Sequence, residues 1–203
     1  MTCRPRNALL IATALVFGLA VSDALAQRLE RGAILVASPS LSDTSFFETV
    51  VLVLDHSDED GSVGVIINRP TSLAPLQVFA DSGISDYTGT VFYGGPVTPT
   101  RALLLFREPA AGDEGLVPIF DGVYLSGRFE PLAAMDATGR SQSRTRIYAG
   151  HARWGPGQLA AEVSAGAWIL MRADAAIVFG DSPLALWRDL QAATGPREIA
   201  QAR

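Results

Sequence analysis

The chain has 203 residues, 48% of them hydrophobic and 18% charged, with a formal net charge of −5. That make-up is one ordinary globular domain with a full core, and it excludes a disordered chain or a disulfide-stapled miniature. The acidic balance repels a phosphate backbone, so nucleic acid is not expected as the main partner.

Residues 1–26 read as a signal peptide. Arg4 and Arg6 form the positive n-region, residues 8–21 the apolar stretch, and Ala24-Leu25-Ala26 a small-residue cleavage site. The apolar stretch is short for a membrane span, and none is expected once the leader is removed. The mature chain would begin at Gln27 with 14 basic and 20 acidic residues and no cysteine, so its core would carry its stability without disulfides. The expected location is periplasmic or secreted, or cytoplasmic if the leader does not function. All sixteen basic residues are Arg.

The domain is expected over residues 27–195, with 196–203 as a flexible tail. Residues 33–37 (AILVA) read as a strand. Residues 38–47 offer Ser42 or Asp43 as the cap of a helical turn that carries Phe46 and Phe47 inward. Residues 48–56 and 62–69 form a hairpin of β-branched, doubly buried strands, turned at Asp60-Gly61 and ended by Pro70. A short amphipathic helix follows over 73–80, with Ser72 as its cap. Next come a loop over 81–89, a strand at 90–93 running into Gly94-Gly95-Pro96, a buried strand at 101–107 and a loop over 108–115. A strand over 115–124 is interrupted at Pro118 and Gly122. Further elements are a helix over 131–138, a strand at 145–149, a helix over 157–165 led by Pro156, and a strand at 167–172. A helical turn at 174–179 and a helix at 183–194, stopped by Gly195-Pro196, complete the chain. Strands alternating with short helices give the α+β class in a single domain.

Three separated stretches resemble the YqgE/AlgH family. The first holds Pro39, Leu41, Asp43 and Phe46, then Asp55-His56, Gly61 and Gly64, and Ile67-Asn68-Arg69-Pro70. The second is FYGGPV over 92–97 with Arg101, and the third is WGPGQL over 154–159. The resemblance spans 32–194. It implies a bifurcated, mostly antiparallel β-sheet partly closed into a small barrel, surrounded by short helices. It also brings the label of transcriptional regulator, without a DNA-binding motif behind it. One segment departs from the pattern. Gly150-His151-Ala152-Arg153-Trp154 stands where members tend to carry a smaller G-Y-A-G-W-like segment, which hints at a changed ligand.

No metal or cofactor is expected. His56 and His151 lack ligand spacing, and Asp58-Glu59-Asp60-Gly61 lacks the alternation of a calcium loop. Phosphate-loop, dinucleotide and G-x-S-x-G signatures are absent from the sequence. The candidate ligand-binding residues sit at strand ends and Gly-rich turns. They are Asp43, His56, Asn68, Arg69, Gly94, Gly95, Arg101, Trp154, Gly155 and Gln158. An Arg beside an Asn suits a carboxylate, a phosphate or a peptide amide. The competing reading makes the polar set an internal network, with Asp43 accepting from Arg69 or from loop N–H groups. Gly155-Pro156-Gly157 either presents helix N–H groups to an anion or is a tight turn. Trp154 is the aromatic expected along a pocket, with Trp168 and Trp187 in the core. Arg140, Arg144, Arg146 and Arg153 form a basic run, either a solvated strand face or a meeting place for an anionic partner.

The function expected is an exported, non-enzymatic protein that binds a small anionic ligand or peptide in a cleft. The alternatives are the regulator of the family label, and a hydrolase or transferase using Asp43 or His56 as base. The last needs a carboxylate and an imidazole, or one of Ser38, Ser40, Ser42 and Ser45, to converge within hydrogen-bond reach.

Overall fold

A computed structural model describes residues 28–80, 87, 89–108, 115–132 and 144–194. The leader, the tail, most of the 81–89 and 108–115 loops and most of the expected 131–138 helix lie outside the described residues.

Among the described residues the strands are β1 (Ala33–Ala37), β2 (Val50–Ser57), β3 (Gly61–Ile66), β4 (Val91–Tyr93), β5 (Val97–Arg107), β6 (Val117–Phe120), β7 (Val123–Ser126), β8 (Thr145–Trp154) and β9 (Trp168–Arg172). The helices are short: α1 (Pro75–Val78), α2 (Gln158–Ser164), α3 (Ala175–Val178) and α4 (Leu186–Thr194). Together they form the expected α+β arrangement. One sheet runs in the order β6-β7-β5-β8-β3-β2-β1-β9, with β4 attached to β8. Every pairing is antiparallel except the parallel β4–β8 pair.

The sheet is curled and forked. At the curl, Arg31 Nη1 reaches the Pro118 carbonyl of β6 at 3.5 Å and its Nη2 pairs with Asp55 of β2 at 2.7 Å. A Cβ on Gly32 would stand 3.1 Å from both the Ile119 oxygen and Phe120 Cβ, so β6 returns to the start of β1. The fork lies on β8. Residues Ile147 to Ala149 pair with β4, whereas Ala152 to Trp154 pair with β3. Gly150, at φ +76°, stands at the changeover.

The apolar runs of β1 and β2 follow from burial on both faces. Ile34, Val36, Leu52 and Val65 pack into one cluster, and Leu35, Val51, Val53 and Ile66 into another. The second cluster includes Trp154, Trp168 and Phe46. Phe46 stacks on Trp154 at 5.6 Å and meets Trp168 edge-on at 5.6 Å.

Several expectations need correction. Phe47 does not turn inward and is 53% exposed. The 44–48 segment is turn, and Asp43 Oδ1 accepts from Ser45 N at 2.7 Å as an Asx turn. Helix α1 is one turn led by Ala74, whose N–H is taken by Gln77 Oε1 at 2.7 Å, and Leu73 and Leu76 are exposed. The 115–124 segment is a hairpin, β6 and β7, turned at Asp121-Gly122. Strand β8 runs five residues past Ala149 to Trp154.

Candidate functional site

The three sequence stretches are packing partners of one another. Asn68, just past β3, is 5% exposed. Its Oδ1 accepts from Val50 N at 2.8 Å and its Nδ2 donates to the Glu48 carbonyl at 2.9 Å. Arg69 donates from Nη1 to the Ser45 carbonyl at 2.8 Å and from Nη2 to the Phe47 carbonyl at 2.9 Å. Two adjacent side chains thus hold the whole 45–50 turn. Within the turn only the Phe46 carbonyl is met locally, by the N–H and hydroxyl of Thr49 at 3.3 and 2.8 Å. Glu48 sits at φ +53°, a left-handed conformation that breaks any helical pattern, so the Ser45, Phe47 and Glu48 carbonyls are left to Asn68 and Arg69. Asp43 forms no ion pair with Arg69 among the described residues; its carboxylate serves the Asx turn.

Gly94 and Gly95 serve a close chain crossing. Gly94 donates to the Ala149 carbonyl at 2.9 Å and accepts from Ile66 N at 2.8 Å. A Cβ on Gly94 would stand 2.3 Å from the Gly150 oxygen, and one on Gly95, at φ +147°, 2.4 Å from the His151 carbonyl. Trp154 is 2% exposed and belongs to the core, not to a pocket wall. Its Nε1 donates to Glu162 Oε2 at 3.1 Å, and Trp168 Nε1 donates to the same oxygen at 2.8 Å. Gln158 is spent locally: Oε1 accepts from Gly155 N at 3.1 Å and Nε2 donates to Glu162 Oε1 at 2.9 Å. Glu162, on α2, therefore joins two indoles and the Gly155 turn, a role the sequence reading missed. An acid four residues after Gln158 on one helix face was the available signal.

His56 Nδ1 lies 2.8 Å from Ser62 Oγ, and Nε2 lies 3.9 Å from Asp58. The trio resembles a Ser-His-Asp relay, but its origin is simpler. His56 and Ser62 are Cα partners in the β2–β3 ladder. Ser62 is 2% exposed, which leaves its hydroxyl no access to a substrate.

Two of the basic run are also spent. Arg144 pairs with Glu108 at 3.5 Å. Arg146 turns inward, donating to the carbonyls of Phe179 (3.0 Å) and Gly180 (3.2 Å) after α3, with its guanidinium over the rings of Phe92 and Phe179 at 5.6 and 5.7 Å. Those carbonyls have no helical partner, and a flat cation between two aromatic faces satisfies them. Arg140 lies outside the described residues.

What remains is a cationic rim at the fork. His151 follows Gly150 on β8 and pairs with Val97. Between Val97 and Ala102 the ladder of β5 shifts register, and residues 98–101 stand out exposed. Thr98 sits at φ +44°, a costly conformation for a β-branched residue, and its Oγ1 lies 3.3 Å from His151 Nδ1. Arg101 and Arg153 are exposed, and neither guanidinium has a hydrogen-bond or ion-pair partner among the described residues. The His151 imidazole is held below its usual range by partial burial, and further by the charges of Arg101 and Arg153. Among the described residues no carboxylate pairs with any of these three basic side chains.

A recess of about 180 Å³ lies elsewhere, floored by Ile67, Val178 and Leu186 and bordered by Asp181 and Asp189. Its carboxylates oppose an anion. Among the described residues no helix is long and apolar enough to cross a membrane.

An AlgH-like family model, DUF179, matches residues 34–198. A UPF0301 protein of Streptomyces avermitilis is 38% identical over 164 residues, covering 78% of this chain and 83% of that protein. One from Myxococcus xanthus is 36% identical over 158 residues, covering 76% and 84%. Among solved structures, the AlgH protein of Pseudomonas aeruginosa superposes with a TM-score of 0.63 at 28% identity, over 80% of this chain and 87% of that one. A Corynebacterium diphtheriae protein superposes with a TM-score of 0.67 at 24% identity, over 82% and 88%.

Proposed function

This chain belongs to the AlgH-like UPF0301 family, and on that footing we propose that it is an exported binding protein for a small anion. The site is the rim of Thr98, Arg101, His151 and Arg153. The observation that carries the reading is the pair of guanidiniums, unpartnered among the described residues, acting on one half-buried imidazole, beside a strained threonine whose hydroxyl faces that ring. Phosphate or a carboxylate group fits this chemistry, because guanidinium forks and an imidazole N–H all donate to anionic oxygens. Strain held at a surface bulge also fits a binding role, since a left-handed β-branched residue costs on the order of 1–3 kcal/mol.

Binding rather than catalysis is supported by the way the other polar candidates are consumed. Asn68 and Arg69 hold a turn, Asp43 caps it, and His56 serves a cross-strand pair. Export rests on the leader in residues 1–26 and is tested by cell fractionation with N-terminal sequencing. A protein recovered in the cytoplasm with Met1 intact would remove export and return the regulatory alternative to consideration.

Binding is tested by calorimetry with inorganic phosphate and citrate. Arg101→Ala and Arg153→Ala should each weaken binding about tenfold, because a hydrogen bond to a charged group contributes about 1.5–3 kcal/mol. Equal heats from the parent and the double variant would refute the assignment.

A further inference from the structure

Strand β9 ends one side of the sheet, and its outer edge is bare among the described residues. Ser38 N donates to the Ala167 carbonyl at 2.9 Å, so 38 and 167 form a hydrogen-bonded pair of the antiparallel ladder. Alternation then makes Val36/Ile169 and Ile34/Met171 the pairs that exchange bonds. The N–H and C=O groups of Trp168, Leu170 and Arg172 therefore point away from β1. Nothing among the described residues bonds to them.

Sheet edges ordinarily carry a guard such as a proline, a bulge or a covering group. The opposite edge has all three: Pro118 lies within β6, the ladder shifts beside it, and Arg31 reaches its carbonyl. Strand β9 has none. Trp168-Ile169-Leu170-Met171 is an unbroken apolar run, and Ile169, Leu170 and Met171 are only half-buried although neighbouring β1 is buried along its length.

We propose that β9 pairs with β9 of a second copy, antiparallel about a two-fold axis through Leu170. The sequence is self-complementary in that register. Leu170 meets Leu170, Ile169 meets Met171, and the outward groups of Trp168 and Arg172 exchange bonds across the axis. The two Arg172 side chains fall at opposite ends, each beside an indole-bearing residue and not beside a like charge. A slip of one residue would set these outward groups opposite residues whose own N–H and C=O point to β1, and the bonds would be lost. An unrelated extended segment would match the bare backbone; the two-fold register in addition sets apolar residues against apolar residues at 169–171 and keeps the two Arg172 apart. The assembly is isologous and closed, joining two sheets into one.

The test is light scattering behind size exclusion over a range of concentrations, with Leu170→Pro and Leu170→Lys. The Leu170 N–H faces outward, so proline there removes the intermolecular donor and no bond to β1. Leu170→Lys leaves the backbone untouched and keeps the test informative if Leu170→Pro fails to fold. The expected result is a dimer in the parent and a dissociation constant at least tenfold weaker in both variants, with unchanged circular dichroism. Cys3 is the only cysteine in the sequence. In a Cys3→Ser background, Leu170→Cys should therefore cross-link on mild oxidation, since facing Cα atoms stand about 5.5 Å apart. Val117→Cys on the opposite edge should not. A parent that is monomeric throughout, or a dimer insensitive to both Leu170 substitutions, would overturn the proposal.

Discussion

The Asn68 carboxamide donates to the carbonyl of Glu48, a residue held at φ +53°. A buried amide thus fixes a strained turn twenty positions earlier in the chain, and Arg69 completes the hold on Ser45 and Phe47. Replacing Asn68 by Ala takes the partner from both the Val50 N–H and the Glu48 carbonyl. The buried Val50 N–H left unsatisfied costs about 1–3 kcal/mol, while the Glu48 carbonyl, on an exposed residue, can turn to water, so the variant should lose about 1–3 kcal/mol in urea denaturation. Hydrogen exchange should rise first over residues 44–49. A loss below 1 kcal/mol would show that the turn holds itself.

Gly94 and Gly95 should tolerate no side chain. Alanine at 94 drives a methyl to 2.3 Å from the Gly150 oxygen, and at 95 to 2.4 Å from the His151 carbonyl. Both obstacles are backbone, which cannot swing aside. Each substitution should cost about 3 kcal/mol, the upper end for overpacking, read as a lower midpoint at constant slope. The two glycines together should be no more tolerant than either alone.

Glu162 joins Trp154 and Trp168 through one oxygen. Glu162→Ala should cost about 2 kcal/mol and shift tryptophan emission, because both indole N–H groups lose their acceptor. Glu162→Gln keeps an acceptor of the same reach and should recover most of the stability. Equal losses in the two variants would mean that charge, not hydrogen bonding, holds the pair.

The His151 imidazole has its pKa lowered in the folded protein, so the unfolded chain binds more protons over the interval between the two values. Its contribution is complete above the unfolded value of about 6.5 and is lost as pH falls through that value toward the lowered one. Arg101→Ala or Arg153→Ala should raise the His151 pKa, observed as a shifted midpoint of its ring proton signals in NMR. A midpoint unmoved by both would place the guanidiniums too far away to form one site.

The architecture was more legible than the site, for physical reasons. Strand β1 falls at the expected Ala33–Ala37, and the β2–β3 hairpin turns at the expected place, because β-branched runs and a positive-φ glycine are local signals. The sequence pattern marks a strand over 145–149 that feeds into the Gly-rich GHARWGPGQL stretch. Gly150 instead marks the point where β8 changes neighbours, a long-range fact. Asn68, Arg69 and Trp154 were noticed as unusual residues in unusual places. Their partners are Glu48, Ser45, Phe47 and Glu162, and no spacing rule connects those positions. Arg146 shows the same limit. Whether a cation on a strand meets solvent or stranded carbonyls depends on where α3 ends.

The most direct measurement is an NMR titration of His151 with inorganic phosphate at fixed ionic strength. Binding at the rim predicts a saturable shift of the ring signals and a raised His151 pKa, both lost in the Arg101→Ala, Arg153→Ala double variant. A shift that does not saturate, or that persists unchanged in the double variant, would contradict the account.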